Sequence, residues 1–333
     1  MRDRRPPSPP SRSRPGGAPG RRVRWAAAAV VAALLVGLLL FTCVGDGSHL
    51  AGSPGAASGF DSDRAWKHLR RQVSFGPRPP GSEAAARTRA YLIEQLRASG
   101  IEAREQRFEA DTPLGPITMV NVVATIPGKR AERIALASHY DTKLSPEFRF
   151  VGASDGASST AALLELGRVL RRRANPFTIE LLFFDGEEAI DWEWKGHDNT
   201  YGSRHYVEQA QSSGSLAGLR ALVLLDLIGD RHLNIRRESS STVWLTDLVW
   251  QTARDLGHGA HFLPDAVSID DDHSAFLRAG IPAVNIIDLD YSAWHTARDD
   301  LPAVSPRSLQ IVGDVILAAL PGIEGRLLQG AAP

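Results

Sequence analysis

The stretch Thr178-Ile-Glu-Leu-Leu-Phe-Phe-Asp-Gly-Glu-Glu188 is mostly apolar and then ends in Asp185, Gly186, Glu187 and Glu188. An apolar run of this length reads as a buried strand. Adjacent carboxylates at its end repel one another in a low-dielectric setting, so a cation normally belongs beside them. With a metal ion there, one Glu can be a ligand while the other moves protons. The plain alternative is a solvated turn with two acids at a helix N-terminus. The doublet alone does not decide between the two.

Other polar residues repeat the pattern. His139 and Asp141 follow the apolar Ile134–Ser138. Asp226 lies within Val223-Leu-Leu-Asp-Leu-Ile-Gly229, and Ile281–Ile287 leads towards Trp294 and His295. Asp155 sits in Gly152-Ala-Ser-Asp-Gly-Ala157, just before a strongly helical stretch. Singly, each has an ordinary explanation. His139 and His295 could be loop residues, Asp155 could cap the helix, and Asp226 could bond a neighbouring loop. A buried Asp without a partner is rare, however. In a parallel sheet these strand ends share one edge, so His139, Asp155, Glu188, Asp226 and His295 can converge. Imidazole and carboxylate together suit zinc.

The elements that must position them follow from periodicity. Helical spacing predicts helices over Glu83–Ser99, Ala157–Arg173, Gly202–Gln211, Ser241–Leu256 and Pro306–Leu320. Strands are expected over Glu102–Glu109, Ile117–Ile126, Arg133–Ser138, Thr178–Phe184, Ala221–Leu227 and Ile281–Ile287. Continuous apolar strands alternating with helices predict an α/β fold, a three-layer sandwich whose central mixed sheet is mostly parallel. The zinc site then falls at the C-terminal edge of the strands.

The ends of the chain differ from this middle. Residues 1–24 hold eight Arg against one Asp among Pro, Ser and Gly, and cannot bury a core. Residues 25–45 are uncharged and apolar, matching the roughly 20 residues needed to cross a bilayer. The Arg-rich flank predicts a cytoplasmic arm and an extracytoplasmic domain. A cleaved signal peptide, giving a secreted form, is the rival reading. Residues 46–61 read as a linker, 62–323 as one catalytic domain and 324–333 as a tail. Cys43 is the only cysteine, so no intramolecular disulfide can form. The chain is formally neutral, so the arm's +7 leaves the remainder net acidic, which argues against nucleic acid as a partner.

Taken in order, His139-x-Asp141, Asp155, Glu187-Glu188, Asp226 and His295 resemble the zinc-dependent M28 aminopeptidase clan. Longer words narrow this. Phe75-Gly-Pro-Arg-Pro-Pro-Gly-Ser82, His139-Tyr-Asp-Thr-Lys143, Phe183-Phe-Asp-Gly-Glu-Glu-Ala189 and Tyr201-Gly-Ser-Arg-His205 are similar to glutaminyl-peptide cyclotransferases. So are Leu224-Leu-Asp-Leu-Ile-Gly229, Asp271-Asp-His273 and Trp294-His-Thr296. The resemblance spans about residues 62–323.

It implies one zinc per chain, held by Asp155, Glu188 and His295 with a fourth position open. The implied substrate is a peptide or protein with N-terminal Gln, cyclised to pyroglutamate with release of ammonia. Glu187 is the implied proton carrier, with Asp226 and Asp271 as inner carboxylates around it. Trp294 and Trp194 are the implied aromatic walls, with Trp192 a further choice, and His273 is expected to support its loop. Two departures stand out. Asn285 replaces a His of the animal members, and Gly156 stands where they carry Ser. A two-zinc aminopeptidase on the same scaffold is the alternative, with His139 and Asp226 holding a second metal. A catalytically dead, membrane-tethered binding module is the rival from another class. The loop Asp191–Asp198 is expected to cover the pocket.

Overall fold

The computed structural model describes residues 59–330. The Arg-rich arm, the apolar run at 25–45 and nearly all of the linker lie outside the described residues. In chain order the elements are α1 (Ser62–Ser74), α2 (Glu83–Ala98), β1 (Glu102–Thr112), β2 (Gly115–Ile126), β3 (Arg130–His139) and α3 (Ala157–Leu170). Then come β4 (Phe177–Phe184), α4 (Tyr201–Ser212), β5 (Leu219–Asp226), β6 (Ile235–Glu238) and α5 (Val243–Asp255). β7 (Phe262–Val267), α6 (His273–Arg278), β8 (Ala283–Ile287) and α7 (Pro306–Gly330) complete them.

Six strands form one mixed sheet in the order β1-β2-β4-β3-β5-β8. β3 runs parallel to both β4 and β5, and β5 parallel to β8. β1 and β2 are added antiparallel at one side. The parallel half is buried on both faces over most of its length, which explains its mostly apolar character. Side chains alternate between faces. Ile134, Leu136, Leu181, Phe183 and Val223 enter the larger core, to which α1, α2, α3, α5 and α7 contribute. Ala135, Leu182, Phe184, Leu222 and Leu224 enter a second core with residues of α4 and α6. β1, at the edge, shows water a charged surface that includes Arg104, Glu105 and Arg107, a composition that discourages strand addition.

The predicted three-layer sandwich is the observed architecture. Four elements were not foreseen: α1, α6 and the small β6–β7 pair. α6 is too short for periodicity to reveal. α1 carries Ala65, Leu69 and Val73 inward, and the Asp61 carboxylate accepts from the Asp63 and Arg64 amides. Phe60 and Asp61 therefore belong to the folded body rather than to a linker. The far end is corrected likewise. α7 does not stop at Leu320 but continues through Pro321 to Gly330. Ile323 and Leu327 are buried there, and buried Glu324 pairs with Arg173, 2.8 Å apart, so residues from 324 to 330 are not a loose tail.

Candidate active site

β4 is held between β2 and β3, so its C-terminal end is fixed from both sides. Asp185 then turns the chain, accepting the Val120 amide at 2.9 Å. Gly186 follows with φ +72°, and a Cβ there would lie 2.4 Å from the Met119 sulfur. Only glycine fits this approach. The amides of Glu187 and Glu188 both donate to the Asp141 carboxylate, at 3.2 and 3.3 Å. The doublet is thus pinned by its own backbone, leaving both side chains free for other work.

Those side chains are buried, and they point into different company. Glu188 Oε1 lies 3.2 Å from His295 Nε2, which is 3.5 Å from Asp155 Oδ2. Asp155, Glu188 and His295 each offer one ligand atom within 4.8 Å of the others. Asp155 Oδ2 and Glu188 Oε2 are buried with no hydrogen-bond partner. Orphaned carboxylate oxygens beside an imidazole are what a bound cation would satisfy, so the residues fit a metal.

Asp155 does not cap α3. Gly156 holds that position with no side-chain cap, so the capping alternative falls. Asp155 is fixed instead through its backbone: the Asp299 carboxylate accepts the Ser154 and Asp155 amides at 2.7 and 3.1 Å. Gly156 has φ +79°, and a Cβ would meet the Asp141 carbonyl oxygen at 2.7 Å and the His139 ring at 3.0 Å.

A second grouping shares Asp155. His139 Nε2 lies 3.2 Å from Asp155 Oδ1 and 3.1 Å from Asp226 Oδ1, and these three could also hold an ion. Here Asp226 Oδ1 also accepts the Leu227 amide at 2.7 Å, while His139 Nδ1 is buried without a hydrogen-bond partner. Burial alone would lower the His139 pKa, but the charges of Glu187 and Asp226 and the nearby Asp141 and Asp155 carboxylates hold it well above its usual value. The His295 pKa is raised in the same way against burial, by Glu188 and Asp155.

Burial pushes the Glu187 carboxyl well above its ordinary value, and the Asp271 and Glu188 charges add to this while His139 opposes it. Asp271 is itself pushed up to about 7 by burial and by Asp226. Its Oδ2 accepts from Asn285 Nδ2 at 2.7 Å, so the Asn that replaces a His still supplies a donor.

A cavity of about 650 Å³ opens over this set, with Asp155, Glu187, Glu188, Asp226, Asp271 and His295 on its floor. Trp192, Trp194 and Trp294 all line it, as do the apolar Ile269 and Leu289. Trp294 stacks on His295 with centroids 4.2 Å apart, and Trp192 lies 6.0 Å from the same ring. Trp192 and Trp294 are 53% and 42% exposed and give this cavity an apolar wall open to solvent. The 191–198 loop is anchored at its base, where Lys143 Nζ donates to the Ala189 and Asp191 carbonyls at 2.7 and 2.6 Å.

Asp155, Glu187, Glu188, Asp226, Asp271, His295 and the three tryptophans therefore line one cavity, with His139 against Asp155 and Asp226. Several supporting residues were missed. Buried Arg78 donates to the Tyr140, Val151 and Gly152 carbonyls, tying the His139 and Asp155 loops together. Lys143 and Asp299 act similarly. Arg78 and Lys143 lie inside the words quoted above, but nothing in the sequence shows that they are buried. Leu227 and His295 take left-handed backbone angles, φ 50° and 49°, which non-glycine residues adopt at a cost of about 1–3 kcal/mol. No sequence signal marks either.

The sequence profile of peptidase family M28 matches residues 121–320. The chain belongs to that family, and within it to the glutaminyl-peptide cyclotransferase branch. A glutaminyl-peptide cyclotransferase-like protein of Mus musculus is 32% identical over 78% of this chain and 75% of its own length. The crystal structure of a glutaminyl cyclase from an Acidobacteriales bacterium is 36% identical, with a TM-score of 0.77 over 84% of this chain and 100% of that one. A leucine aminopeptidase precursor from Bacteroides thetaiotaomicron is also similar, at 26% identity and TM-score 0.73 over 80% of this chain and 98% of its own.

Proposed function

We propose that this chain is a zinc-dependent glutaminyl-peptide cyclotransferase that converts N-terminal Gln of peptides or proteins to pyroglutamate. The observation that carries the reading is the division of the Glu doublet. Glu188 faces Asp155 and His295, while Glu187 stands beside them among carboxylates on the floor of a tryptophan-lined cavity. Asp155, Glu188 and His295 would hold one zinc. When bound, it supplies Lewis-acid polarisation of the γ-carbonyl of the Gln side chain.

The residues of the chain do the rest. Trp192, Trp194 and Trp294 enclose the Gln side chain and exclude water from the reacting atoms. The substrate's own α-nitrogen attacks the carbonyl carbon of the side-chain amide (Cδ), the new N–Cδ bond closes the five-membered ring, and the bond from Cδ to the amide nitrogen breaks. Glu187 takes the proton leaving the α-amine and gives it to the departing nitrogen, which leaves as ammonia. A raised carboxyl pKa suits a group that must both accept and return a proton. The Asp271 charge near it sustains that proton affinity, and Asp226 acts in turn on Asp271.

The second reading, a two-zinc aminopeptidase, draws on the His139, Asp155 and Asp226 grouping. His139 Nε2 and Asp226 Oδ1 bond one another at 3.1 Å, while the orphaned Glu188 Oε2 lies in the other grouping, which supports a single ion held there. We also infer that the apolar run at 25–45 anchors the chain, with the catalytic domain outside the cytoplasm. That inference rests on the sequence, and no described helix is long and apolar enough to cross a membrane. The reaction is tested by coupled detection of ammonia. A Gln-initiated peptide should yield ammonia and its N-acetylated form none, because acetylation removes the nucleophile. Equal ammonia from both would mean simple amide hydrolysis.

A further inference from the structure

Glu238 closes β6 and does not line the cavity, yet it is a heavily bonded carboxylate. Its Oε2 lies 3.0 Å from His273 Nε2 and accepts from the Ser240 hydroxyl at 2.8 Å, and from the Ser241 amide and hydroxyl at 2.7 and 2.9 Å. Its Oε1 accepts the Ser240 amide at 2.8 Å. Glu238 is 3% exposed and His273 is fully buried. Burial alone would raise the Glu238 pKa, but the bonds from His273 and Ser240 hold it well below the usual carboxylate range. An ionised carboxylate this fully satisfied is a rigid point in the structure.

Two arms run from that point to Asp271. One passes through His273, the first residue of α6, which follows Asp271 by two positions. The Asp272 amide donates back to Asp271 Oδ1 at 2.5 Å, so the Asp271–His273 segment is tight. The other arm passes through Ser241, whose hydroxyl oxygen accepts the Asn285 amide at 3.1 Å. Asn285 in turn donates Nδ2 to Asp271 Oδ2 at 2.7 Å. Each oxygen of Asp271 is therefore set by one arm, and both arms end on Glu238. Neither arm touches Asp155, Glu188 or His295.

We propose that Glu238 is a positioning residue for the reaction, fixing the Asp271 carboxylate beside Glu187 through His273 on one side and Ser241–Asn285 on the other. This rests on the role given to Asp271 under the proposed function. A carboxylate displaced by about 1 Å can cost on the order of 100-fold in rate. Loss of the Glu238 anchor should accordingly lower kcat by roughly 10- to 100-fold, with little change in KM or in bound zinc.

The test is a double-mutant cycle on the full chain, with kcat, KM and zinc content measured for the wild type, E238A, D271N and the double variant. E238Q is run in parallel, keeping size and one acceptor oxygen in case E238A folds poorly. The expected result is a fall in kcat for E238A or E238Q alone and almost no further fall when it is added to D271N, because the positioned group is already gone. Losses of equal size in both backgrounds, or a loss that follows zinc content or KM, would overturn the positioning role. A wild-type chain that releases no ammonia from Gln-initiated peptides would instead overturn the reading of the site, and the inference with it.

Discussion

Glu187 and Glu188 are chemically identical neighbours separated in role by what each side chain meets. Glu188 reaches His295 and Asp155 and keeps one buried oxygen free. Glu187 sits among Asp271, Asp272 and His139, where burial drives its proton affinity up. Replacing Glu187 by Gln should lower kcat by roughly 10²–10⁴-fold while leaving zinc content near one per chain, measured by steady-state kinetics and elemental analysis. Replacing His295 by Ala should instead remove zinc together with activity, and a protein that keeps its metal would contradict the ligand assignment. The doublet, His139 and His295 were legible in the sequence because each closes or follows an apolar strand, and the three tryptophans were legible only through the family resemblance. The strain at Leu227 and His295, and the burial of Arg78 and Asp299, were not. They depend on which loops meet, and no local pattern encodes that.

The strands that place these residues were easier to read than the helices that surround them. β3, β4 and β5 are mostly apolar because both faces are covered, a signal that survives in a single sequence. Leu181 shows the consequence: it is fully buried in β4 between β2 and β3. Leu181→Ala should destabilise the fold by about 2–5 kcal/mol in chemical denaturation, by loss of transfer energy plus a cavity. α1 was missed although Ala65, Leu69 and Val73 have helical spacing, because its other positions are rich in charge. It brings its own pH dependence. His68 faces Tyr91 of α2 at 2.7 Å, and burial followed by the Arg64 charge lowers its pKa from 6.5 to about 4. The unfolded chain then binds a proton that the folded one refuses, so stability present above pH 6.5 is lost as pH falls towards 4. The loss should be on the order of 2 kcal/mol, allowing for the partial exposure of His68. His68→Gln should flatten the denaturation midpoint across that window.

For the whole molecule, the relatives and solved cyclases support cyclisation, although a leucine aminopeptidase precursor shares the scaffold at 26% identity. The arm and the apolar run at 25–45 bear on location instead. Full-length protein should sediment with membranes and resist salt extraction, while a chain starting at Asp46 should remain in the supernatant with the same kcat. Full-length protein in the supernatant would rule out the anchor. The central claim is about the bond that forms, and one measurement reaches it. A peptide beginning with Gln is incubated with the purified protein and its mass followed by mass spectrometry. Cyclisation predicts a product lighter by one ammonia, with every residue retained and the N-terminus blocked. Release of free glutamine and a peptide one residue shorter would contradict it and assign the site to hydrolysis.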